Sequence, residues 1–307
     1  MPFTSNGSGT AVMDDSVVNL YSEAIVFAAS PELVADQIAN VKEEANGKSM
    51  TFTKYSNLAL ATTALTELDD VTSVAMSDSA VTITPLEYGA VVTTTRLANL
   101  QSAGKVDVGA AYLVGRNMGA TLDKLAINVL QAGGGTSVLA DDVAEASQTT
   151  TAILDKTLAN RLYNKLARTN IVPFDGFYIG LAHDDVLHDL REDTSAGGWT
   201  DVNKYTGQLN VFKNEVGMYA GIRWLRSSNG YINTDGGSSA IDTYHTFVCG
   251  FNALGKVQSS QPIVKILPAS DKLGRFMNIG WHWVGAYGVI DSSAYAIGIS
   301  TSTVGSN

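Results

Sequence analysis

"DKLGRFMNIGWHWVGAYGVIDSSAYAIGIS" covers residues 271–300 and holds two of the four tryptophans and one of the four histidines among a row of glycines. Such crowding suits an active site as readily as a sheet, and the spacing decides between them. From Met277 the odd positions are Met277, Ile279, Trp281, Trp283, Gly285, Tyr287 and Val289, and the even ones are Asn278, Gly280, His282, Val284, Ala286, Gly288 and Ile290. Side chains alternate faces along a strand, so the large apolar groups share one face and mostly small groups the other. His282 has Gly280 and Val284 as same-face neighbours and meets no acid before Asp291. The segment predicts a long strand whose aromatic face needs a cover.

The cover is predicted at about 106–131. Ala111, Val114, Met118, Leu122, Leu125 and Val129 step by three or four, which is one stripe of a helix. At 1.5 Å per residue it would be roughly 39 Å long. "GGG" at 133–135 stops it. Before it, "SAVTITPLEYGAVVTTT" (79–95) gives two β-rich runs separated near Pro85. Earlier still, "SMTFTKY" (49–55) alternates as a strand, Ser56-Asn57 can turn the chain, and "LALATTAL" can return it. Residues 46–66 therefore read as a long hairpin with too little apolar surface for a core of its own. From Val17 to Glu44 the pattern is helical in two pieces, with Ser30 as N-cap and Pro31 in the first turn of the second.

A second unit starts near Thr149. "TAILDKTLANRLYNKLAR" is an amphipathic helix, "DGFYIGLAH" a strand and "DDVLHDLRED" a helix capped by an Asp. "GMYAGIRWLRS" follows a loop, "YHTFVCG" (244–250) is another strand, and "NALGKV" a short turn or helix.

Composition narrows the class. Only 16% of the 307 residues are charged against 45% hydrophobic, which suits a surface buried against other chains and equally a polar exterior rich in Ser, Thr and Gly. The net charge of −10 opposes tight binding to nucleic acid, which relies on Lys and Arg. The first 47 residues carry seven acids and one base, Lys42, and form no basic arm. One cysteine, Cys249, excludes an intrachain disulfide and fits a reducing compartment. "MPFTSNGSGT" lacks the features of a signal peptide, and no apolar run approaches the roughly 20 residues of a membrane span.

Candidate chemistry is thin. "GFNALGK" (250–256) matches a phosphate-binding loop, but Val257 replaces the metal-coordinating hydroxyl and a proline follows where a helix is needed. In "HDDVLHD" (183–189), His183 and His188 are about 140° apart on a helix, and metal sites need three or four convergent ligands. No G-x-S-x-G elbow occurs, and Cys249 lies inside a predicted strand. No catalytic, cofactor-binding or metal site is assigned.

The order of these segments resembles the Hong Kong 97-type fold of tailed-bacteriophage major capsid proteins, an α+β fold. "MTFTKYSNLALATTALTELDD" resembles the extended loop of the short-tailed-phage branch, and "VTITPLEYGAVVTTT" its peripheral strands. "YTGQLNVFKNEVGMYAGIRWLRSSN" resembles the axial-domain passage, and "RFMNIGWHWVGAYGVIDSSAYAIGIS" the closing strand pair. The resemblance implies an N-terminal arm (1–45), an extended hairpin loop (46–66), a peripheral domain with a long spine helix (67–135 with 271–290) and an axial domain (136–270 with 291–307). It implies self-assembly into hexamers and pentamers around double-stranded DNA in a virion assembled in the host cytoplasm. No charged helical extension precedes the arm, which implies either a separate scaffolding protein or a mature, trimmed chain, and the retained Met1 favours the former; a portal is also expected, and decoration proteins are a further option. The rival readings are an encapsulin-like compartment shell and a metal- or nucleotide-dependent enzyme.

Overall fold

The computed structural model describes residues 33–43, 48–56, 58–65, 67, 70–101, 105–193, 198–199, 215–267, 271 and 273–304. The first elements are β1 (Asn40–Glu43), β2 (Met50–Tyr55), β3 (Asp78–Ile83), β4 (Leu86–Thr95), α1 (Arg96–Gln101) and α2 (Lys105–Ala132). Then come β5 (Thr136–Leu139), α3 (Lys156–Arg168), β6 (Tyr178–Ala182), α4 (Asp184–Glu192), β7 (Glu215–Tyr219) and β8 (Ile222–Arg226). The last are β9 (Tyr231–Asn233), β10 (Thr243–Cys249), β11 (Leu254–Leu267), β12 (Phe276–Val289) and β13 (Tyr295–Ser300).

The opening stretch is a strand, as its alternation predicts. β12 lies between β11 and β4, antiparallel to both, in a four-stranded sheet of order β1-β11-β12-β4. Ile279, Trp281, Trp283 and Tyr287 are buried and belong to one cluster with the α2 stripe. Trp281 Nε1 donates to Asn117 Oδ1 of α2 at 2.9 Å, so the buried indole is satisfied where it meets the helix. Pro262 falls inside β11, which has no place for it in a regular ladder. The register against β12 shifts between Ser260 and Ile263, and the proline sits in that irregularity.

α2 runs slightly longer than expected and ends at the glycines, with Gly134 in the left-handed region (φ +73°) that closes many helices. Ala111, Val114, Met118 and Leu122 are buried as the stripe predicts. In the last turns Ala126, Ile127 and Leu130 are buried, while Leu125 and Val129 are only half-buried and border a cavity of about 360 Å³ beside Ile83 and Trp283. The shift has a cause. The far half of the helix also faces the second sheet, of order β5-β13-β10-β6-β8-β7 with β9 on β10. Phe247, Cys249, Ile297 and Ile299 of that sheet join the same cluster. Its other face carries α3 and α4 through Leu158, Leu162, Val186 and Leu190.

Several expectations are corrected. The hairpin does not close within 46–66: β2 pairs with β3, Met50 opposite Ile83, and the described residues of 58–65 form no strand. Residues 254–267, grouped by the sequence with the second unit, pair with β12 and β1 instead. "NALGKV" is accordingly two turn residues followed by the first four residues of β11. α3 begins at Lys156, not Thr151. Asp155 caps it by accepting from Leu158 N at 2.8 Å, and Ile153 forms a bridge with Thr301. α4 is capped by His183, whose Nδ1 accepts from Asp185 N at 3.2 Å, so the two Asp residues occupy its first turn. The helix expected over 17–44 falls largely outside the described residues, as do its Ser30-Pro31 start and much of the 205–229 passage. Its described end is a 3-10 turn at Ala35–Ile38 followed by β1.

Candidate assembly surfaces

Two exposed apolar regions and two anchored segments define what this molecule can do. The first region is the excursion between β2 and β3. Leu60 is 87% exposed and Leu65 75%, and Leu58, Val71, Val74 and Met76 are also exposed. Nothing in the same chain covers them among the described residues. The base is fixed, however. Ser56 N donates to Ser77 O at 3.0 Å, and Phe52 and Ile83 bury against Val257 and Ile290. Lys54 Nζ donates to Asp291 Oδ2, and Asp291 also accepts from Ser293 N and Oγ. Burial raises the Asp291 carboxyl, but these donors outweigh it and hold it below the usual carboxylate range.

The second region lies at the far end of the four-stranded sheet. Arg96 N donates to Arg275 O at 2.8 Å there, which brings α1 beside the start of β12. Leu97 and Leu100 of α1, Val108, Tyr112 and Leu113 of α2, and Leu273 are all exposed. A soluble monomer seldom leaves so many large apolar groups together.

The arm joins the body through two carboxylates. Asp123, buried on α2, accepts from Val34 N (3.1 Å), Ala35 N (2.7 Å), Ser227 Oγ (2.8 Å) and Asn229 Nδ2 (3.3 Å). Asp36 accepts from Tyr287 OH at 2.8 Å and pairs with Lys256 Nζ at 2.7 Å. Burial, with Asp36 adjoining it, pushes the Tyr287 hydroxyl far above its ordinary value.

The residues weighed for chemistry are dispersed. Lys256, the lysine of the phosphate-loop pattern, is a buried strand residue held by Asp36, and β11 continues where such a loop needs a helix. His183 caps α4, whereas His188 is half-exposed and lies 3.4 Å from Glu192. Among the described residues no group of three or more His, Cys, Asp or Glu could hold a metal ion. Cys249 is fully buried, and burial pushes its thiol up to about 12. His282 contacts Glu87 Oε1 on the adjacent β4. That partner was invisible to local spacing, as were Glu145 and Gln131, which flank the buried His245. The one available signal was Asp123, a charge directly beside Leu122 on an apolar stripe. No described helix is long and apolar enough to cross a membrane.

A long helix packed on both a four-stranded and a seven-stranded sheet, a separate β2–β3 pair, and a chain that passes between the sheets after β10 and again after β12 make up the Hong Kong 97-type capsid fold. Among solved structures the chain is similar to the capsid of Ralstonia phage GP4, with 12% identity, 87% of each chain covered and a TM-score of 0.71. It is similar to the capsid of cyanophage Pam1 at 12% identity, over 90% of this chain and 92% of that one, with a TM-score of 0.65. The virus-like particle from Pyrococcus furiosus has 12% identity, covers 92% of this chain and 98% of its own, and gives a TM-score of 0.58. No family profile and no curated protein sequence matches the chain.

Proposed function

We propose that this chain is the major capsid protein of a tailed bacteriophage, assembling through hexamers and pentamers into an icosahedral head around double-stranded DNA. The carrying observation is the β2–β3 excursion, an apolar projection that the described residues of its own chain leave uncovered, on a fold met in phage capsids. The low charge fraction and the exposed apolar end of α1 and α2 support a molecule made to lie against its own copies. In domain terms the arm is 1–45, and the extended loop is best bounded by β2 and β3. The peripheral domain comprises β4, α1, α2, β11 and β12, and the axial domain is built on the seven-stranded sheet. The role is structural rather than catalytic. A separate scaffold and a portal are the partners this reading calls for.

An encapsulin-like compartment shell is the second and weaker reading; the similar particle from Pyrococcus furiosus is itself described as virus-like. Electron microscopy of the purified protein, followed by analysis of the particle contents, tests both. Closed icosahedral shells are expected, filled with DNA when taken from infected cells. A protein cargo in place of DNA would select the compartment reading, and a protein that stays monomeric under every assembly condition would exclude both.

A further inference from the structure

α3 is a basic element in an acidic chain. It holds Lys156, Arg161, Lys165 and Arg168 and no acid, while the whole chain carries a net charge of −10. Arg161, Lys165 and Arg168 lie four and three residues apart, so they share one face of the helix. That face borders a groove of about 390 Å³ whose other wall is Ser137, Val138 and Leu139 of β5. Asp142 is the one acid lining the groove among the described residues, and it is already engaged. Arg161 Nη2 donates to Asp142 Oδ1 and its Nη1 to Leu139 O at 3.2 Å, which makes Arg161 part of the wall. Lys165 and Arg168 are exposed, and neither pairs with an acid among the described residues. β5 ends its sheet, with β13 on one side and no strand on the other among the described residues, so the groove also offers an open backbone edge.

Two free cations are few for a nucleic-acid backbone, where affinity grows with the number of phosphates neutralised. They match a pair of carboxylates, and the chain has such a pair of its own. Residues 1–32 contain Asp14, Asp15, Glu23 and Glu32 and no Lys or Arg. The arm enters the described body at Val34 and Ala35, on Asp123 of α2, whereas α3 lies on the opposite face of the seven-stranded sheet. The chain from Asp15 to Leu33 can span at most roughly 60 Å, enough to reach a neighbouring molecule.

We propose that the groove between α3 and β5 receives the Asp14-Asp15 segment from the arm of a second copy, with Lys165 and Arg168 meeting its carboxylates. The contact rests on the self-assembly proposed above and gives the acidic arm a destination within it. Cations in the last turn of a helix also meet the negative end of its dipole. That role would hold within one chain and take no account of charges on the arm, so the two are separable.

The test is carbodiimide coupling of the full chain, which joins a carboxylate to a lysine already in contact with it. Isotopically heavy and light copies are mixed under assembly conditions first. Lys165 should be found joined to Asp14 or Asp15, in heavy–light pairs as well as in like pairs. Lys165→Glu combined with Arg168→Glu should lower shell yield roughly tenfold at low salt, since like charges facing across an interface repel strongly. The deficit should shrink as salt rises. Adding Asp14→Lys and Asp15→Lys to the same chain should restore assembly, which a dipole role would not allow. Normal shells in which Lys165 is joined to nothing, or to acids outside the arm, would overturn this contact and leave the capsid reading standing. Like-isotope pairs alone, or a charge swap without rescue, would overturn it as well. A chain that stays monomeric under every condition would overturn both.

Discussion

Trp283 illustrates how an individual side chain holds this fold together. It is fully buried, with Tyr88 stacked at 5.6 Å and Tyr287 tilted against it at 5.7 Å. Its Nε1 finds no acceptor among the described residues. Trp283→Ala should lower stability by about 3–5 kcal/mol, the range for large aromatics in cores. Trp283→Phe should lower it by clearly less, since it keeps a ring and removes a buried unpaired N–H that costs about 1–3 kcal/mol. Urea denaturation of the free subunit measures both, and equal losses would mean that the indole N–H is not a liability. The aromatic face was legible from period-two spacing alone. The partners of His282 and His245 were not, because Glu87 and Glu145 are remote in sequence and only the strand register and the turn after β5 bring them near.

Elements were legible where their own period decides them, and illegible where pairing does. α2 and β12 follow from spacing within one segment. β2 and β3 were each recognisable as strands, yet alternation names a face and not a partner, so the nearer run at 58–65 took the place of β3. With the true pair known, the hairpin tip can be removed cleanly. If the proposed shell function holds, deleting residues 57–76 and bridging Ser56 to Ser77 with a short glycine link should leave a chain with native circular dichroism that forms no shells on sizing columns. Normal shells from this variant would show that the tip is no interface. The base of the hairpin should respond to acid. The Asp291 carboxyl is lowered in the folded chain, so its contribution is present above the ordinary carboxylate range and lost as pH falls through the lowered value. Protection of β2 amides, corrected for the intrinsic pH dependence of exchange, should therefore fall on acidification in the wild type, and less so in Lys54→Met, where the pair is already absent. The effect should be modest because Lys54 is partly exposed.

Across the whole molecule, the sequence separated two units that the fold joins more closely. β11 was grouped with the second unit because it follows β10 after a short turn at 250–253, and nothing local marks the passage from one sheet to the other. The principal core also belongs to both sheets, with α2 between them. β13 adds a consequence of a different kind. It is the last strand described along the chain, yet it occupies an interior position, parallel to β5 on one side and antiparallel to β10 on the other. During synthesis β5 and β10 emerge from the ribosome long before the segment that must lie between them. A nascent or prematurely terminated chain lacking residues after 294 has a gap in the middle of its larger sheet, with two facing rows of unpaired backbone groups. Only a chain read through to that strand can close its larger sheet, so the fold is completed by nearly the last residues to be translated.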